Sequence, residues 1–252
     1  MLAVLVFGVT AALVPAGATA ASVFKVTCNY SHSRSADPIV SPGVYPSAHL
    51  HDFYSNPTAD ENSTLNSLQK ADGNCKGEPL NHSAYWTPTL SVDGQTVHAP
   101  KVIAYYSRGR GPRTETLPAG LELLAGSAHS TGPQPISVVS WSCTGADVTP
   151  QDHPFDCTPY HTQVQYTVRF PSCWDGNSLN PSSLVYAGNK GNCPSSNPHI
   201  LPHIRLTFLT GVADPRRLAF SSGPYYTAHA DVFDAWDQAR LNQLLCAAGV
   251  TC

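Results

Sequence analysis

Along Val164-Gln165-Tyr166-Thr167-Val168-Arg169-Phe170 the residues alternate apolar and polar, the period of a strand with one face buried and one in water. Shorter runs of the same kind mark Val23–Cys28, Val102–Tyr106, Ile136–Trp141 and Ile204–Phe208. Pro and Gly punctuate between them, as in Ser41-Pro42-Gly43, Asp93-Gly94, Gly111-Pro112 and Asp175-Gly176. Asp93-Gly94, set between Leu90-Ser91-Val92 and Thr96-Val97, predicts a hairpin, because its tight turn needs residues that tolerate positive φ. Convincing helical periodicity is confined to the end of the chain. From Asp231 onward Val232, Trp236, Ala239, Leu241, Leu244 and Leu245 line one face, and Gly249 supplies the stop. Asp231 then falls at the N-cap, with Asp234 three residues on. A weaker helical pattern covers Asp60–Lys70. The pattern as a whole predicts a mainly β, single-domain fold: an antiparallel, jelly-roll-like sandwich with long disulfide-tied loops and a C-terminal helix.

Composition adds the compartment. Met1 to about Val14 is uncharged and apolar and leads into Pro15-Ala16-Gly17-Ala18-Thr19-Ala20-Ala21. This reads as a signal peptide over residues 1–21, with the remaining domain over 22–252, although no Lys or Arg precedes the apolar run. The run is shorter than the ~20 residues of a comfortable membrane span, and no later one is longer. Eight cysteines, with no C-x-x-C pair among them, predict disulfides rather than a thiolate zinc site. Neighbour pairing is the expectation, namely Cys28–Cys75, Cys143–Cys157, Cys173–Cys193 and Cys246–Cys252, though spacing alone leaves the connectivity open. Charged residues are 12% of the chain against a typical ~25%, so Ser, Thr, Asn and Tyr must supply much of the surface. The net charge of −3 and the lack of a basic run give no footprint of a nucleic-acid binder. Absence of a P-loop and of a dinucleotide fingerprint argues against a nucleotide cofactor, and no nucleophile elbow or H-E-x-x-H is present. A monomer is expected.

The sharpest chemical feature is His49-Leu50-His51. On extended backbone, residues two apart share a face, so both imidazoles can reach one ion or flank one substrate group. His229-Ala230-Asp231 offers a second pair of that kind. Together they give three histidines and a carboxylate, a set that suits zinc, copper or manganese, with metal-free acid/base work as the alternative. For Asp231, helix capping competes with catalysis. Asp175, in Trp174-Asp175-Gly176, is a candidate acid, base or nucleophile, with Asp52 or Asp231 as the second carboxylate of a glycosidase pair. Its competing role is a tight turn, with Trp174 packed on the Cys173 disulfide. Tyr85, Trp86 and Trp174 form a candidate aromatic wall for sugar rings, and Arg169 could neutralise a substrate carboxylate. Against this, Trp86 and Trp236 read better as core residues, because Trp is highly buried on average, and Arg169 as a solvated strand position.

Several strings occur in a particular order: Asp37-Pro38-Ile39-Val40-Ser41-Pro42-Gly43, Ala48-His49-Leu50-His51-Asp52-Phe53, Ser83-Ala84-Tyr85-Trp86-Thr87-Pro88, Leu117-Pro118-Ala119-Gly120-Leu121, Phe170-Pro171-Ser172-Cys173-Trp174-Asp175-Gly176, and His229-Ala230-Asp231 before Trp236-Asp237. In these the chain resembles the DUF1996 family of secreted fungal and bacterial proteins, from about Phe24 to Cys246. The resemblance implies an extracellular setting near polysaccharide, since fungal members are often joined to carbohydrate-binding modules. The chain departs from the family in lacking histidines shortly after Trp174-Asp175-Gly176, and in the residues around Tyr54-Ser55, where a glycine is usual. The functional expectation is a secreted, carbohydrate-directed protein, a glycan-cleaving hydrolase or lyase, with polysaccharide as partner. The alternatives are a non-catalytic wall or matrix glycan binder, and a metal-binding protein centred on His49, His51 and His229.

Overall fold

The computed structural model describes residues 22–108, 114–188 and 191–252; the expected signal segment and the Gly111-Pro112 turn lie outside the described residues. Nine strands form one hydrogen-bonded antiparallel succession: Glu122–Gly126, His229–Phe233, Ala84–Pro88, His51–Ser55, Val23–Arg34, Lys101–Ser107, His203–Leu209, Val164–Arg169 and Val139–Cys143. Val23–Arg34 is the pivot. Over Val23–Asn29 it pairs with Lys101–Ser107, and from Tyr30 to Arg34 it pairs with His51–Tyr54, with a register shift between Tyr30 and His32. Such an irregularity bends a strand and increases its twist. The two halves of the succession therefore fold face to face as a sandwich.

The interface between the halves is aromatic and polar-tipped. Tyr85 and Tyr106 share a hydroxyl–hydroxyl hydrogen bond of 2.8 Å, the Trp236 indole N–H donates to the Tyr106 hydroxyl, and the Thr87 hydroxyl bonds that of Tyr166. Tyr54 meets Phe208 edge-on at 5.5 Å. Each of these hydroxyls thus has a partner, which offsets the cost of burying it. A second apolar cluster covers the opposite face of the His51–Ser55 half. There Ala36, Ala59 and Leu68 pack on Phe53, Trp86 and Phe233.

All four disulfides join neighbours, as expected: Cys28–Cys75, Cys143–Cys157, Cys173–Cys193 and Cys246–Cys252. Cys28–Cys75 pins the covering segment to the pivot strand and is worth roughly 4 kcal/mol in chain-entropy terms. Four disulfides fit a secreted protein, and among the described residues no helix is long and apolar enough to cross a membrane.

Two local expectations are corrected. The last helix runs over Gln238–Ala247, and its N-cap is Asp237, whose side chain accepts from the Arg240 amide at 2.8 Å. Asp231 caps nothing; it lies in the strand His229–Phe233, paired on both sides and buried throughout. Two flanking strands satisfy that backbone as a helix cannot in this place, so tertiary pairing overrides the local pattern. The helix of Asp60–Lys70 shrinks to Leu65–Leu68, started by a Thr64–Ser67 capping box. The Asp93-Gly94 hairpin forms as expected, and the Ile136–Trp141 strand begins at Val139.

Candidate functional site

The outer face of the Glu122–Gly126, His229–Phe233, Ala84–Pro88 and His51–Ser55 strands carries the chemistry. His229 and Asp231 share that face by strand parity, and His51 is two strands away. His49 sits in the loop immediately before its strand and stacks obliquely against His51, with ring centroids 4.4 Å apart. Gly126 lets His229 approach. It has φ of +81°, and a Cβ there would lie 2.5 Å from the Ala228 carbonyl oxygen and 2.8 Å from His229 Cα.

Three imidazole Nε2 atoms converge. His49 Nε2 is 3.2 Å from His229 Nε2, and His51 Nε2 is 3.4 Å from the same atom. The tautomers follow from the other ring nitrogens. His51 Nδ1–H donates to the Ala36 carbonyl at 2.9 Å and His229 Nδ1–H to the Thr227 carbonyl at 2.9 Å. A carbonyl only accepts, so in their neutral forms both rings present a bare Nε2 lone pair. Two such lone pairs aimed at each other repel. His49 can donate a proton to one of them only. Ligands held about 2.0–2.1 Å from a tetrahedral zinc stand roughly 3.3–3.4 Å apart, which matches the spacing of these nitrogens.

Burial keeps the rings neutral. It pulls the His229 imidazole down to about 4 and outweighs the carbonyl bond, with His49 and His129 adding repulsion. His51 is pushed well below the usual histidine range by burial and by its two ring neighbours. His49 is lowered by burial and then by His129. Neutral imidazole is the form that ligates a metal.

Carboxylates lie just behind. One ligand atom each from Asp37, His51 and Asp231 falls within 4.8 Å of the others, as do one each from the three histidines. Asp37 accepts from the Ile39 and Val40 amides through Oδ1. Asp231 is fully buried, and among the described residues neither of its oxygens has a hydrogen-bond partner. Burial, then the Asp37 charge, drives the Asp231 carboxyl well above the ordinary range. An orphaned carboxyl of this kind is costly, and a nearby cation is what would compensate it. A cavity of about 340 Å³ opens beside the histidines, lined by Asp37, Val40, His49, Leu124, His129 and His229 among others.

The remaining candidates lie apart from this cluster. Asp175 Oδ1 accepts from the Asn177 and Ser178 amides, so its carboxylate closes a turn. The Trp174 indole N–H is bonded to the Ser178 carbonyl and its ring tilts against His199. Tyr85 and Trp86 are fully buried; burial pushes the Tyr85 hydroxyl up to about 12, and Trp86 stacks on Phe53 at 5.4 Å. Arg169 stands on the outer face of the other half of the sandwich. Asp52 is also buried, but it accepts from Ser33 and Thr89 and pairs with His98. Sequence reasoning missed Asp37 and His129. Asp37 precedes a proline in what reads as an ordinary turn, and only the fold brings it to His51.

No curated protein and no solved structure matches the chain. A family model described as a domain of unknown function matches residues 37–236, a span that takes in Asp37 and all three histidines. The chain belongs to the DUF1996 family.

Proposed function

We propose that this protein is an extracellular metalloprotein that holds a divalent transition metal, zinc in the first instance, on His49, His51 and His229 and uses it on a glycan. The convergence of three Nε2 atoms at metal-ligand spacing, two of them with the Nδ1 proton fixed on a carbonyl, carries the reading. Three neutral imidazoles leave the ion's double charge uncompensated, and Asp37 and Asp231 offer the balancing carboxylates. Three protein ligands leave a fourth position toward the cavity, as catalytic rather than structural zinc sites do. A metal there would polarise a substrate oxygen or activate a water. His49 and His229 line the cavity and orient whatever enters it, and His129 faces it from the rim. The glycan is argued from the extracellular setting that disulfides support and from the resemblance described above.

Loading the protein with zinc, copper or manganese and assaying a panel of wall, plant and fungal polysaccharides tests the catalytic half. The expected outcome is fragment release that chelator abolishes and that His49→Ala lowers at least about a hundredfold. Release unaffected by chelator would move the chemistry to metal-free acid/base residues. No release from any polymer, with metal bound, would leave a metal-binding protein and remove the enzyme.

A further inference from the structure

The half of the sandwich away from His49, His51 and His229 carries cations and no carboxylate on the outer face of its strands. Lys25 stands opposite Tyr105, Tyr105 opposite Arg205, and Arg205 opposite Arg169. The row crosses four adjacent strands, about 14 Å at the usual ~4.8 Å strand spacing. Not one Asp or Glu occurs in the five strands Val23–Arg34, Lys101–Ser107, His203–Leu209, Val164–Arg169 and Val139–Cys143, although the chain as a whole carries a net charge of −3.

Like charges directly opposite each other on neighbouring strands destabilise a sheet. Arg205 and Arg169 are such a pair, and among the described residues neither forms an ion pair with a carboxylate. Both guanidiniums are nevertheless held in place. Arg169 Nη1 donates to the Ile136 carbonyl at 3.1 Å and to the Ser140 hydroxyl at 2.9 Å, while its Nε and Nη2 make no hydrogen bond within the described residues. Arg205 lies over the Tyr105 ring, 4.3 Å from its centroid. Beside Arg169 is a hollow of about 530 Å³ where Tyr186, 45% exposed, spends its hydroxyl on the Arg169 carbonyl and turns an aromatic surface to solvent.

We infer that this face binds an acidic polysaccharide, a chain bearing carboxylate or sulfate groups at regular intervals, through Lys25, Arg205 and Arg169. Guanidinium forks match both anions in geometry. A row of cations suits a polymer with repeated charges better than a single small anion. Nucleic acid fits less well, because four disulfides fit an extracellular protein, where acidic polysaccharide rather than nucleic acid is the usual polyanion. The surface is separate from the histidine centre, so the inference does not depend on the metal.

Binding of polygalacturonate, dextran sulfate, a neutral β-glucan and a single-stranded oligonucleotide, measured by calorimetry at two salt concentrations, tests it. The expected result is binding to one or both acidic polymers, weakened by salt, with none to the neutral glucan. Whether polygalacturonate or dextran sulfate binds tells which anion is read. The double variant Lys25→Gln/Arg205→Gln alters two exposed side chains. It should keep the melting temperature, lose about tenfold or more in affinity and show a shallower salt slope. Equal binding of acidic and neutral polymers, tighter binding of single-stranded nucleic acid, or undiminished affinity in the double variant would overturn the inference.

Discussion

Zinc at a thousandfold excess over its dissociation constant will raise the melting temperature of the parent protein by about 10 °C and leave His49→Ala where it was. The size follows from linkage. A ligand at that excess which binds only the folded state adds about 4 kcal/mol, and about 1 kcal/mol moves a chain of this length by roughly 2–4 °C. All eight cysteines are in disulfides, so the unfolded chain has no thiolates to compete for the ion. His49 is the ligand to remove because it sits in a loop and is only partly buried, which leaves the metal-free fold intact. Differential scanning calorimetry at pH 7 is the measurement. Acid should reverse the gain, since protons compete for the Nε2 lone pairs. Without metal, acid also acts on the fold itself. The folded His229 imidazole sits at about 4 against an ordinary 6.5, so the unfolded state binds the proton first. Stability contributed there is full above pH 6.5 and is lost as the pH falls toward 4.

Asp234→Asn will stabilise the protein at neutral pH by up to about 4 kcal/mol and have little effect at pH 4. Burial raises the Asp234 carboxyl from 3.8 to about 8, despite hydrogen bonds from Gln238 and Ser83. Folding at pH 7 therefore requires this group to take up a proton that the unfolded chain has released. The sign is opposite to that of His229: the stability is present below the unfolded value of 3.8 and is lost as pH rises toward 8. Asparagine is neutral at every pH and escapes the cost. Its amide can donate to the Ser83 hydroxyl or to the Gln238 side chain, which already lies 3.3 Å from Asp234 Oδ2. Urea titrations of both proteins at pH 4 and pH 7 check this. A variant no more stable than the parent at pH 7 would show that the buried carboxyl is compensated in some other way.

Which strands were legible in the sequence depended on what covers them. Val164–Arg169, Lys101–Ser107 and His203–Leu209 have one face in the core and one in water, and their alternation was plain. His51–Ser55, Ala84–Pro88 and His229–Phe233 are buried on both faces, one by the opposing half and one by the segment carrying Ala36, Ala59 and Leu68. No alternation survives in His51-Asp52-Phe53-Tyr54-Ser55, and Asp231–Phe233 reads as the start of a helix that begins only at Gln238. The histidine pair was legible from spacing alone, because two residues apart on extended chain is a local property. Its partners were less so. His229 could be named as a candidate but not placed, and Asp37, at the head of a family string, had no spacing that tied it to His51. The basic row was invisible for the same reason: Lys25, Arg169 and Arg205 are scattered in sequence and aligned only by strand register.

The most direct measurement of the central claim is a crystal structure of the protein grown with zinc, with diffraction recorded at the zinc absorption edge. The account predicts one strong anomalous peak about 2.0–2.1 Å from Nε2 of His49, His51 and His229, with the fourth side facing the cavity. No peak at saturating zinc, or a peak held by other residues while these three rings keep their metal-free contacts, would contradict it.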